Sequence, residues 1–304
     1  MTILVTGSSG FVGEILIKKL RELEIDTIGI DWKKGKYTDI IQDISQPFTI
    51  EKKIDVVVHL AARLEHDRCT QKEYFLANVN GTENVLSIAK SFNAYFIYIS
   101  ATAIYGDPIS PITEETTIAP NGNYALTKWK GEEICQKFQK DGLKIAIIRP
   151  TVILGKKRLG IYKVIFKSLI NNKKIPLLGD GSNKISFINV EDLCDYIIHL
   201  SNRKLSDLIV NFGGVIPGDL NEVIHDLKEY SRSNSDILHV PLSLIGILKI
   251  FSRLKIIPVT PWQLSVMHKD YFFDNKKLHS TGFDYKYKPI DALKSMIDNY
   301  KEMN

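Results

Sequence analysis

Ile3-Leu4-Val5-Thr6-Gly7-Ser8-Ser9-Gly10-Phe11-Val12-Gly13 is the stretch that decides how this chain folds. Ile3 to Thr6 is a short apolar run of strand character, and the glycines after it stand in GxxGxxG spacing. Beyond them, Ile15, Leu16, Leu20 and Leu23 recur at amphipathic-helix spacing. A strand that turns on glycines into a helix brings backbone close to a pyrophosphate, which rests on the N–H groups and positive dipole end of the helix. Gly7, Gly10 and Gly13 are therefore predicted to form a dinucleotide-binding turn.

Working outward, Thr27-Ile28-Gly29-Ile30-Asp31 is a second buried strand, and Asp31 closes it 24 residues after Gly7. A carboxylate there accepts a hydrogen bond from the adenosine ribose 2′-hydroxyl and repels a 2′-phosphate, so NAD is expected over NADP. Lys33 and Lys34 follow at once and pull the other way. Further apolar runs lie at 54–62, 95–100, 145–149 and 208–212, with helical stretches such as 78–91 and 123–140 between them. Short apolar strands alternating with helices imply an α/β fold, a parallel sheet covered on both faces. After Pro150 the texture shifts to more Lys, Asn and Pro. The boundaries predict a dinucleotide-binding domain from 1–155 plus about 183–215, and a second lobe from 156–182 plus 216–304.

Composition narrows the function. The chain has 304 residues, enough for a large core, with 44% hydrophobic and 25% charged residues. A net charge of +5 without a basic tract argues against a nucleic-acid partner. Cys69, Cys135 and Cys194 are scattered and lack CxxC spacing, so neither a disulfide framework nor a metal site is expected, and a cytoplasmic setting is. The N-terminus enters an apolar run with no basic flank, so no signal peptide is read. No apolar stretch reaches the length of a membrane span.

The chemistry sits in Asn123-Tyr124-Ala125-Leu126-Thr127-Lys128. On a helix Tyr124 and Lys128 share a face one turn apart. A phenol titrates near pH ~10 in water, and a neighbouring ammonium lowers that value towards a range where it exchanges a proton with an alcohol. Such a pair suits reversible oxidation of an alcohol to a ketone once a hydride acceptor lies alongside.

With these pieces in order, the chain resembles the extended short-chain dehydrogenase/reductase family, the NAD-dependent epimerase/dehydratase group, over most of its length. Thr6 to Gly13, including Ser9, Phe11 and Val12, resembles that family's cofactor loop, and Tyr124-x-x-x-Lys128 its catalytic pair. Asp43-Ile44 resembles the pair that contacts adenine. His59-Leu60-Ala61-Ala62 resembles the strand end along the cofactor, and Asn78-Val79-Asn80-Gly81-Thr82 the helix opening whose Asn is structural and near the site. Tyr105-Gly106, Arg149-Pro150 and Gly179-Asp180-Gly181-Ser182-Asn183 fall in the family's order. The resemblance implies a Rossmann doubly wound sheet with a smaller, discontinuous C-terminal substrate-binding lobe. It also implies an NAD cofactor, a tyrosine that passes the proton, and a lysine that also binds the nicotinamide ribose. Ser100, Pro150 and Val152 would lie near the nicotinamide. A homodimer through the helices near 78–91 and 124–140 is also implied.

Departures from the family pattern matter equally. The family places Ser or Thr four residues before the Tyr of the Tyr-Gly pair; here that position is Ala101. Losing such a donor costs on the order of 3–4 kcal/mol of transition-state stabilisation, by analogy with oxyanion donors. Thr102 is expected to take over, with Ser100 as the other candidate. Ala101-Thr102-Ala103 supplies no carboxylate, which disfavours 4,6-dehydratase and decarboxylase chemistry. A nucleotide-activated sugar is the expected substrate, with 4-epimerisation through a transient 4-keto sugar as the leading reaction. One-way reduction or dehydrogenation of a 4-keto sugar or sterol-like alcohol, or NAD binding with weak catalysis, are the alternatives. Lys184 and Arg253 are candidate phosphate ligands. The apolar stretch 244–257, interspersed with cations, reads by default as buried in the lobe; a substrate-pocket helix, a dimer surface or a helix lying on anionic lipid are the other readings.

Overall fold

Strands form where the sequence runs apolar: β1 (Thr2–Thr6), β2 (Asp26–Asp31), β3 (Ile40–Ile41), β4 (Val56–His59), β5 (Tyr95–Ile99), β6 (Ile145–Pro150), β7 (Val152–Leu154), β8 (Ile175–Leu178), β9 (Phe187–Asn189), β10 (Leu208–Phe212) and β11 (Ile237–Val240). The computed structural model describes residues 1–304 except His66, Arg68, Lys157, Lys255, Pro258 and Asn304. One sequence reading therefore extends past the described residues, at Lys255 in the 244–257 stretch. The helices are α1 (Phe11–Glu22), α2 (Gln71–Phe75), α3 (Gly81–Ser91), α4 (Asn123–Lys140), α5 (Tyr162–Ile170), α6 (Val190–Arg203), α7 (Leu220–Ser231), α8 (Ile245–Arg253), α9 (Pro261–Val266), α10 (Lys276–Ser280) and α11 (Pro289–Glu302).

Seven strands make one parallel sheet in the order β10-β6-β5-β4-β1-β2-β3. This is the Rossmann order expected from the glycine loop. β3 escaped the sequence reading because it is two exposed residues, too short for a period to show. Alternation along β1 feeds two cores. Ile3 and Val5 pack with Leu16, Ile17 and Leu20 of α1 and with Leu193, Ile197 and Leu200 of α6. Leu4 faces the other way, with Val85, Leu86 and Ala89 of α3 and Cys135 of α4. Each such side chain, fully buried, contributes roughly 1.5–3 kcal/mol.

The order in which the chain adds strands reverses between β1 and β4, which are parallel hydrogen-bonded neighbours. At such a switch point the loops leaving the two strands diverge and open a crevice at their C-terminal ends. A third core joins Leu154, Phe166, Ile175, Leu177, Val223, Leu227, Leu293 and Met296 beside β8 and β11, which pair with each other. A fourth, of Ile104, Tyr105, Ile112, Tyr271 and Phe273, ties the segment after β5 to residues far along the chain.

Candidate functional site

The glycine turn fills the crevice floor. Gly7 has φ +75, and a Cβ there would stand 2.8 Å from Ala61 N, so the β1 and β4 loops touch at a residue without a side chain. At Gly13 a Cβ would lie 2.2 Å from the Gly7 carbonyl oxygen, which requires glycine for α1 to start this close to the turn. Leu60 N donates to Thr6 O at 3.2 Å and Ala61 N to Thr6 Oγ1 at 3.3 Å, placing Leu60, Ala61 and Ala62 along the same floor. Asp31, at the end of β2, accepts from Ser9 N at 3.0 Å. Its buried carboxylate thus braces the glycine turn as well as ending the strand. Asp43 is exposed after β3, beside β2; Ile44 is buried against Gly81.

Several polar atoms in this crevice have no partner inside the protein. Ser9 Oγ, Ser100 Oγ and Thr151 Oγ1 are shielded and without a hydrogen bond. Buried hydroxyls are ordinarily satisfied. A glycine cradle that no Cβ would fit and three such hydroxyls, with Asp31 at the β2 end, are what a dinucleotide with its ribose and phosphate oxygens would engage, so the residues present fit NAD.

Tyr124 and Lys128 lie in the first two turns of α4, as the spacing predicted. The helix is held by Asn78, which is buried in a π-helical turn (Leu76–Asn80). Asn78 accepts from Arg63 N at 2.7 Å and donates to Arg63 O at 3.1 Å and Thr127 Oγ1 at 3.0 Å. One amide therefore locks the loop after β4 to the residue before Lys128. Lys128 Nζ lies 4.3 Å from the centre of the Tyr98 ring, a cation–π contact. One turn further, Glu132 is fully buried and forks to Arg149, with Nη2–Oε2 at 2.7 Å and Nε–Oε1 at 3.0 Å. Arg149 Nη1 donates to Tyr105 OH at 2.7 Å, and Tyr105 OH to Asn211 Oδ1 at 2.7 Å.

Protonation differs from the expectation at Tyr124. Burial pushes the phenol up to about 12, with Arg158 opposing and Glu65 and Tyr74 adding to the rise. Burial pushes Lys128 down to about 8, against the pull of Cys135 and Glu132. The sequence expectation weighed only the charge of Lys128 on the phenol. In the folded protein desolvation dominates at both groups, and the Lys128 ammonium also lies over the Tyr98 ring. His59, between Thr6 Oγ1 at 2.7 Å and Thr82 Oγ1 at 3.0 Å, is held neutral, its value pushed down to about 3 by burial and then by Lys128.

Beside Tyr124 opens a cavity of about 240 Å³ lined in part by Glu65, Tyr74, Ala103, Asn121, Thr260 and Trp262. Thr260 Oγ1 donates to Glu65 Oε1 at 2.8 Å, and Trp262 Nε1 to Gly106 O at 3.0 Å. Tyr271 OH donates to Thr102 O at 3.1 Å. The far end of the chain thus clamps the turn (Thr102–Tyr105) that follows β5. Glu65 and Tyr74 were not singled out from sequence. Local signals were present in two capping boxes, Thr70-x-x-Glu73 at the start of α2 and Thr260-x-x-Gln263 at the start of α9.

Thr102 and Ser100 separate. The Thr102 hydroxyl donates to Pro150 O at 3.3 Å, while Ser100 Oγ has no partner. Ala101 is buried with an extended backbone. Val152 is more exposed, in β7 just past Pro150. Lys184 and Arg253 are both exposed and neither lines the Tyr124 cavity. The structure does not bring these two to the other marked residues, because the loop at 184 and the end of α8 point their cations to solvent. A larger open groove of about 710 Å³ along α7, lined by Asn221, Glu222, His225 and Asp226, contains none of the residues marked from sequence. No described helix is long and apolar enough to cross a membrane.

Comparison with known proteins agrees with this geometry. Residues 3–213 match the family model described as the NAD dependent epimerase/dehydratase family. An uncharacterised protein, y4nG, of Sinorhizobium fredii is 31% identical over 98% of this chain and 78% of its own length. The N-acetyl-alpha-D-glucosaminyl-diphospho-ditrans,octacis-undecaprenol 4-epimerase of Escherichia coli O157:H7 is 26% identical over 92% of this chain and 89% of its own. Among solved structures, UDP-glucuronic acid 4-epimerase from Bacillus cereus in complex with NAD superposes with a TM-score of 0.80 at 22% identity, covering 100% of this chain and 99% of that one.

Proposed function

This chain belongs to the NAD dependent epimerase/dehydratase family, and from that premise we propose that it is a 4-epimerase of a nucleotide-activated sugar. The observation that carries the reading is the placement of Tyr124 and Lys128 on one face of α4, with Tyr124 lining a cavity of about 240 Å³. The cofactor is NAD, held by the Gly7–Gly13 turn and Asp31. Bound there, NAD supplies a reversible hydride acceptor, so a secondary alcohol can be oxidised to a ketone and reduced again on its other face.

The protein's own residues do the rest. Tyr124 takes the proton of the sugar hydroxyl and returns it. Lys128, whose pKa is about 8, is largely an ammonium at pH 7 and stabilises the phenolate as it forms. Ser100 holds the reacting oxygen, because its hydroxyl has no other partner, whereas that of Thr102 is bound to the Pro150 carbonyl. Glu65 and Thr260 offer polar contacts to the sugar, and Trp262 an apolar wall. Ala101-Thr102-Ala103 carries no carboxylate at the position where water elimination or decarboxylation would need one. The reading includes a cytoplasmic homodimer joined through α3 and α4.

The test is direct. Purified protein, denatured, releases NAD(H) identified by mass spectrometry, and the intact protein interconverts one pair in a panel of UDP-, GDP- and dTDP-hexoses without net change in nicotinamide absorbance. Tyr124→Phe loses the interconversion and keeps the bound nucleotide. A net absorbance change with product formation assigns a one-way reductase or dehydrogenase instead. No bound nucleotide together with no interconversion refutes both.

A further inference from the structure

One helix of this fold faces outward with the wrong side. Ile247, Ile250, Phe251 and Leu254 recur at i, i+3, i+4 and i+7 along α8, the spacing that normally turns to a core. All four are exposed: Ile247 51%, Ile250 54%, Phe251 41% and Leu254 65%. Leu244 before them, at 41%, and Ile256 after them, at 64%, are exposed as well. Contiguous apolar surface of this kind marks an interaction site in a soluble protein.

Charge identifies the partner. From Ile237 to Lys269 there is no Asp or Glu, while Lys249, Arg253, Lys255 and Lys269 supply four of the five net positive charges of the whole chain. Lys269 pairs with Asp107, but Lys249 and Arg253 have no carboxylate partner among the described residues. They stand one turn apart on α8; Arg253 flanks the Ile250 side of the stripe, and Lys249, half-buried, lies further round the helix. An exposed apolar stripe on a cationic segment free of acids matches an anionic bilayer surface, where apolar side chains enter the acyl boundary and long basic side chains reach headgroups. α8 is also coupled to the site. Ser252 Oγ donates to Val259 O, and the next residues, Thr260 to Trp262, form a wall of the Tyr124 cavity.

We infer that the Leu244–Ile256 face docks this protein on an anionic lipid bilayer, which brings the Tyr124 cavity to the membrane surface. The inference stands apart from the reaction proposed above. It is tested with the full chain floated with vesicles of phosphatidylcholine containing about one-third phosphatidylglycerol, and with pure phosphatidylcholine vesicles. At least about tenfold more protein floats with the anionic vesicles, and high salt reduces that excess. Ile250→Glu with Leu254→Glu lowers flotation about tenfold or more while leaving the thermal unfolding curve in place, since both side chains project to solvent. Flotation of that double variant equal to wild type overturns the inference, as does wild type left at the bottom of both gradients. Sedimentation equilibrium guards against a second occupant. A dimer that the double variant dissociates, with no flotation of wild type, assigns the face to self-association and overturns the inference too.

Discussion

Glu132→Gln removes one charge from the fork that ties α4 to β6. The Glu132 side chain is 0% exposed and that of Arg149 4%, and the two meet through contacts of 2.7 and 3.0 Å. Burial opposes the Arg149 charge, and the hydrogen bond and charge of Glu132 more than offset it. With a neutral amide in that place, the guanidinium stays desolvated and keeps only neutral acceptors, among them the amide oxygen and Tyr105 OH at 2.7 Å. Breaking one side of a buried pair costs about 3–5 kcal/mol. For a chain of this length that is a fall in Tm of roughly 5–10 °C. Circular dichroism melts of wild type, Glu132→Gln, Arg149→Met and a Glu132→Leu/Arg149→Met double variant measure it. The double variant is expected to lose less than either charge-stranding single variant, because a well-packed apolar pair removes both desolvation costs. Glu132 also raises the Lys128 value, so Glu132→Gln pushes Lys128 further down. A melt of Glu132→Gln within about 1 °C of wild type, close to no change in stability, would refute the reasoning.

Lys128→Met stabilises the protein at pH 7, because the buried ammonium is held at about 8 against 10.5 when exposed. Between those values the unfolded chain binds more protons, so wild type gains stability as pH rises through the window and the advantage of Met shrinks. Urea unfolding at pH 7 and pH 10 should show a gain of about 3 kcal/mol at most that falls at the higher pH; an equal gain at both contradicts the assignment. Ala101→Ser restores a hydroxyl at the family's position. Steady-state turnover should be unchanged, because Ser100 already holds the reacting oxygen, and a rise of about tenfold or more would show that the donor was missing. Asp31→Gly narrows the preference for NAD over NADP by about tenfold, ~1.4 kcal/mol, in equilibrium binding, by removing the charge that repels a 2′-phosphate. His59→Gln flattens the loss of stability from pH 6.5 down towards 4, where the unfolded chain takes up a proton that the buried ring at about 3 refuses. Denaturant midpoints across that range check it, and an unaltered slope argues against a neutral buried His59.

Local patterns carried the scaffold. The Gly7–Gly13 turn is a short-range demand, since each glycine is required by backbone within the same strand–turn–helix unit or by the adjoining strand loop, and such demands show in spacing. Helix α4 runs over Asn123–Lys140 as read, and with it came the Tyr124–Lys128 face. The pairing of Asn78 with Thr127 and the fork of Glu132 with Arg149 left no such trace, because partners 49 and 17 residues apart make no period.

A boundary therefore separates what consecutive residues dictate from what folding adds. Strand, turn and helix, the dinucleotide crevice and the Tyr–Lys pair follow from backbone sterics and side-chain periodicity within about twenty residues. Burial does not, since it depends on which distant segments close over a group. Closure by α9 put Glu65, Thr260 and Trp262 around Tyr124, and packing moved the phenol up and the lysine down, opposite to what their proximity alone predicts. The same closure left the Lys184 and Arg253 side chains in solvent and the apolar stripe of α8 uncovered, because desolvation and exposure are set by the assembled surface.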